Sequence, residues 1–110
     1  MVVIDLKPIS VNEAWKGRRF KTDKYKAFRK MVLLQLRPMA IPSDVRLEIH
    51  LKYGFTTAGA DIDNPTKMIL DILSEKFKFN DNRIYRLVID KDVVGKGNEY
   101  FAFEIKGMGK

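Results

Sequence analysis

Val45, Leu47, Ile49, Leu51 and Tyr53 alternate with Arg46, Glu48, His50 and Lys52. Strict alternation over that length suits only a strand with one face buried and the other solvated. A strand over Asp44–Phe55 needs partner strands at its edges and something apolar packed on its inner face. The neighbouring segments offer both. Tyr25, Phe28, Val32 and Leu36 recur at helical spacing, joined by Met31 and Leu33, which predicts a helix from about Lys24 to Arg37. Thr22 or Asp23 would cap it, and Pro38 ends it. Met68, Ile69, Ile72, Leu73 and Phe77 give a second helix over Pro65–Phe77, with Lys67, Asp71, Ser74 and Lys78 on its outer side.

Short apolar runs complete the set. Val2–Leu6, Ile84–Val94 and Tyr100–Ile105 read as strands, and Gly95-Lys96-Gly97-Asn98 reads as a hairpin connection between the last two. The expected fold class is α+β: a single domain with a mixed central β-sheet of about four strands and two main helices, in the order β-α-β-α-β-β. The domain is expected over residues 1–106, with 107–110 as a flexible tail. A chain of 110 residues with 45% hydrophobic content suffices for one core.

The chemistry concentrates in Asp61-Ile62-Asp63-Asn64-Pro65-Thr66-Lys67. Carboxylates two apart share one face of an extended segment. Pro65 suits the first position of a helix, with Asn64 or Asp63 as its cap. Two like charges aimed at one spot repel, and a divalent cation relieves them. Oxygen donors favour a hard cation such as Mg²⁺, which keeps several waters and needs only one or two carboxylates. Zinc is disfavoured, because the chain has no cysteine and its one histidine, His50, lies on the outward side of the central strand. The same shortage argues against a Ser-His-Asp triad and leaves carboxylates and lysine as the catalytic repertoire. Lys67 lies four residues after Asp63, within reach on a helix. Acid-x-acid followed by lysine suits a metal nuclease in which lysine faces the charge developing on phosphorus. Asp71 is accounted for by i,i+4 pairing with Lys67.

Charge points to the substrate. The formal net charge is +7, and residues 1–37 hold ten Lys or Arg against three acids. That asymmetry is the electrostatic footprint of a nucleic-acid binder. Lys16, Arg18, Arg19 and Lys21, interleaved with Trp15 and Phe20, form a basic loop suited to phosphates, with Lys24 just beyond. No apolar run is long enough to span a membrane, and the N-terminus lacks the order of a signal peptide. A cytoplasmic location is expected.

With these residues in view, the chain resembles the RusA family of Holliday-junction resolvases. Pro8-Ile9-Ser10-Val11-Asn12 is similar to the family's Pro-x-Ser-x-Asn segment. Asp61-Ile62-Asp63-Asn64, with Lys67 and Asp71-Ile72-Leu73 behind it, is similar to its Asp-x-Asp-Asn core. Phe79-Asn80-Asp81 is similar to the segment carrying its third acid, although two consecutive acids are common there and this chain has Asn80-Asp81-Asn82. The resemblance covers about residues 8–105. It implies a Mg²⁺-dependent homodimeric endonuclease that cuts a four-way DNA junction by paired symmetric nicks. Asp61, Asp63 and Asp81 would hold the metal, a metal-activated water would attack the phosphodiester, and Lys67 would assist. Two other readings fit the same charge pattern: a non-catalytic DNA- or RNA-binding domain, and a Mg²⁺ nuclease for other branched or single-stranded DNA. A helix over Pro65–Phe77 would carry the chain roughly 20 Å away from Asp63. Asp81 can therefore reach its own chain's site only if the connection doubles straight back or the helix is short; otherwise the partner subunit supplies it.

Overall fold

The computed structural model describes residues 1–9, 15–16 and 20–109, with the backbone alone at 15–16 and 20–21. The central strand forms as β4 (Leu47–Phe55), and Leu47, Ile49, Leu51 and Tyr53 are fully buried. It is three residues shorter at its start than the alternation suggests, because Asp44 is in the left-handed region (φ 58°). Two helices pack their apolar sides on that inner face. The first, α1 (Asp23–Gln35), starts at Thr22, whose hydroxyl accepts from the Tyr25 amide at 3.1 Å. It buries Tyr25 and Val32, with Leu36 just past its end, while Met31 turns out to solvent. The second, α2 (Thr66–Phe77), buries Thr66, Met68, Ile69, Ile72 and Leu73. The core closes through two ring pairs, Phe28 with Phe101 and Phe77 with Phe103.

The remaining strands are β1 (Val2–Ile4), β5 (Ile84–Val93) and β6 (Tyr100–Gly107), and the sheet order is β1-β6-β4-β5. β6 pairs antiparallel with both β1 and β4, whereas β5 runs parallel to β4. The fold class and element order match the expectation from sequence, with one correction. β5 and β6 do not form a hairpin: β4 lies between them, and residues 95–98 carry the chain past its end. The reason is the helix. A strand that follows β4 through α2 returns at the same end and pairs in parallel, as βαβ units do. β4 then offers its other edge to β6.

A smaller difference concerns the basic segment. The expected loop at 15–21 contains a short antiparallel ribbon, β2 (Trp15–Lys16) with β3 (Phe20–Lys21). The sheet continues through Gly107, and the Met108 amide donates to the Arg46 carbonyl at 2.8 Å. Near the end of β4, Gly54 leaves room for the Tyr100 ring, which a β-carbon there would meet at 2.4 Å. Among the described residues, no helix is long and apolar enough to cross a membrane.

Candidate active site

The acidic segment is a turn, not an extended strand. The Asn64 amide donates to the Asp61 carbonyl (3.4 Å) and the Thr66 amide to the Asp63 carbonyl (3.3 Å). Pro65 takes the capping position of α2 and no side chain caps the helix. The Thr66 amide, which a capping Asp63 or Asn64 side chain would serve, is already satisfied by the Asp63 carbonyl. Asp61 and Asp63 are left exposed, and neither carboxylate has a hydrogen-bond or ion-pair partner among the described residues.

The backbone of this turn is firmly held. Buried Thr66 donates its hydroxyl to the Ile62 carbonyl (2.7 Å), between the two aspartates. The same hydroxyl accepts from the buried Tyr53 phenol at 2.7 Å. Burial pushes the Tyr53 phenol up to about 12, against the opposing effect of that hydrogen bond, so it keeps the proton it donates to Thr66 at working pH. From the other side, the Lys91 ammonium on β5 donates to the carbonyls of Ala58 (2.7 Å) and Ala60 (2.9 Å). Sequence reasoning missed both moorings. Tyr53 carried a usable signal, since a tyrosine on the buried side of a strand needs a partner for its hydroxyl. Lys91 carried none, because its partners are backbone atoms of a distant loop.

Lys67 is the hub of a second group. Its ammonium donates to the Asp71 carboxylate at 3.0 Å and lies 3.7 Å from that of Asp81. The hydrogen bond and charge of Asp71, then the charge of Asp81, raise its pKa. The i,i+4 pairing expected for Asp71 is therefore present. Asp81 arrives because the chain reverses directly after α2. Lys78 adopts the left-handed conformation (φ 56°) and the Phe79 amide donates to the Ser74 carbonyl (3.1 Å). Buried Phe79 anchors the reversal, and the Asn80 side chain caps a single turn of 3₁₀-helix at Asp81–Arg83.

The three acids singled out in the sequence thus fall into two places. Among the described residues, no three His, Cys, Asp or Glu side chains gather closely enough to hold one ion. β5 lies parallel to β4 with Ile84 beside Leu47 and Val93 beside Phe55. Asp81, just ahead of β5 on the Leu47 side of the sheet, meets the start of α2 through the Lys67 ammonium, 3.7 Å from its carboxylate. The donor chemistry still suits a hard divalent cation, since Asp61 and Asp63 offer unengaged carboxylate oxygens.

The N-terminal segment joins the site. Lys7, Pro8 and Ile9 line a cavity of about 160 Å³ together with Phe55, Asp61, Asn64 and Pro65. Ser10, Val11 and Asn12, like Arg18 and Arg19, lie outside the described residues, as do the side chains of Lys16 and Lys21. Lys24 is exposed in the first turn of α1.

The sequence matches a known protein family over most of its length. The matching family is one of endodeoxyribonucleases, hydrolases of the DNA backbone. Its description is Endodeoxyribonuclease RusA, the match spans residues 7–100, and the chain belongs to this family. The match takes in all three segments on which the resemblance rests. A search of curated proteins gives no significant match.

Proposed function

We propose that the protein is a Mg²⁺-dependent, structure-selective endodeoxyribonuclease that resolves Holliday junctions as a homodimer, by paired symmetric nicks. One observation carries the reading. In a chain of the RusA family, Asp61 and Asp63 present unengaged carboxylates from a turn moored to the sheet, with Lys67 one helical turn further on. Asp61 and Asp63 would hold Mg²⁺, with Asp81 as the third acid. The ion would supply positive charge for the phosphate and a water acidic enough to act near neutral pH.

The protein's own groups have distinct tasks. The Ile62 carbonyl and the Thr66 hydroxyl keep the acidic turn in place before DNA arrives, so the carboxylates need little reorganisation on binding. Lys67 remains an ammonium, because Asp71 and Asp81 raise its pKa, and it faces the charge that builds on the phosphate. Lys7 lines the same cavity as Asp61 and adds a positive group for the DNA phosphate. Lys16, Arg18, Arg19, Lys21 and Lys24 hold DNA phosphates, so binding weakens steeply as salt rises. A two-fold dimer would present two equivalent sites to a junction of approximate two-fold symmetry.

The deciding assay follows nicking of a synthetic four-way junction and a linear duplex, with Mg²⁺ and with a chelator. Nicking confined to the junction and to Mg²⁺ is expected. Equal cutting of other branched DNA would make the protein a broader nuclease. Binding without cutting would make it a DNA-binding domain. Mixing D81N with D61N chains then decides which acidic turn Asp81 serves. Recovery of nicking in mixed dimers means the partner's turn, and no recovery means its own.

A further inference from the structure

β5 is an edge strand of ten residues, and no described strand covers its outer side. Tyr85, Leu87 and Val93 are exposed along it. A long edge with apolar side chains is a template for another strand. The backbone fixes which groups it offers. The Val94 amide donates to the Phe55 carbonyl, and the register with β4 is unbroken from Arg86 to Val93. Even-numbered residues of β5 therefore turn their amides and carbonyls to β4, while Leu87, Ile89 and Lys91 turn theirs to the open edge.

We infer that β5 pairs antiparallel with β5 of a second copy, with the two-fold axis at Val88. This rests on the homodimer in the proposed function and gives it a surface. Edge-facing residues must meet edge-facing residues, so the axis can pass only through a residue, and the side chains select which one. About Val88, Arg86 meets the partner's Asp90 and Asp90 meets the partner's Arg86, while Leu87 and Ile89 pair with each other across the seam. About Leu87, Arg86 faces valine. About Ile89, Arg86 meets Asp92, but Leu87 falls opposite Lys91. About Asp90, two carboxylates collide. The sequence Arg86-Leu87-Val88-Ile89-Asp90 is thus self-complementary in one register only. In one chain Arg86 has Glu48 at 3.6 Å, and Asp90 has no ion-pair partner among the described residues.

The pairing makes one eight-stranded sheet with both pairs of helices on the same face. It also sets Ile84 of one copy level with Asp92 of the other. The start of each β5, with Asp81 just ahead of it, then lies at the same level as the end of the partner's β5, where Lys91 holds the loop leading to Asp61.

The chain has no cysteine, so single replacements report cleanly. At the axis the two copies of residue 88 form a pair without backbone hydrogen bonds, with α-carbons about 4.5 Å apart, within disulfide range. V88C is expected to give a disulfide-linked dimer on oxidation, while I89C at matched concentration is not. D90R and R86D alone should each weaken self-association by about tenfold or more, and mixing the two should restore it, because every cross-pair is then opposite in sign. Folding of each variant is checked by circular dichroism. A dimeric wild type in which V88C fails to link overturns this interface and leaves the homodimer standing. Linking through I89C overturns the register. A wild type that sediments as a monomer, alone and on junction DNA, overturns the interface and the homodimer together. Junction nicking, read in parallel, reports on the nuclease assignment separately.

Discussion

Two groups of acids flank the start of α2, and they are held in opposite ways. In the turn at Asp61–Asp63 the backbone is fixed and the carboxylates are unengaged. In the Lys67 group the carboxylates of Asp71 and Asp81 are engaged by a shared ammonium. Two negative charges without a counter-charge are a place for a cation to bind, whereas two carboxylates on one lysine are already half neutralised. Under the proposed function the first group takes the cation, and in the second Asp71 keeps Lys67 charged.

Removing either carboxylate of the turn tests that division most severely. D61N and D63N should each lower junction nicking by on the order of 10³-fold or more, with junction binding kept or tightened in a mobility-shift assay. Wild-type nicking by D61N would end the assignment. K67A should cost about 10²-fold in single-turnover rate, a smaller loss because it removes a charge facing the reaction and leaves the turn intact. T66V keeps shape but deprives the Ile62 carbonyl and the Tyr53 phenol of their partner. Its cost should be about 1–3 kcal/mol in denaturant unfolding, with a partial loss of nicking as the turn slackens.

D71N should do least. The pair with Lys67 is well exposed and is worth about 0–1 kcal/mol. Its clearest effect is on titration. Asp71 and Asp81 raise the Lys67 pKa, so their contribution to stability is fully present below the usual lysine value and is lost as pH rises through the folded value. No loss of activity below about pH 10 should therefore trace to Lys67. Lysine NMR in D71N should show its titration at lower pH.

Much of this could be read in the sequence where one physical rule acted alone. Alternation fixed β4 because burial on one face leaves no other register, and helical spacing fixed both helices to within about two residues. Where two rules competed, the reading slipped. Gly95–Asn98 has hairpin chemistry, but the β4-α2-β5 unit takes the neighbouring edge first, so β5 and β6 end on opposite sides of β4. Pro65 suggested a side-chain cap, yet backbone bonds within the turn took its place. Asp61, Asp63 and Lys67 stood out by spacing. Thr66 and Lys91 did not, since what they hold are main-chain carbonyls, which have no signature in sequence.

The mooring of the acidic turn has a consequence for how the protein fails under stress. Tyr53, at the foot of the Thr66 chain, belongs to the most deeply buried strand, and Lys91 to the strand beside it. Heat that loosens these strands frees the loop at the same moment, so inactivation and melting should share one temperature.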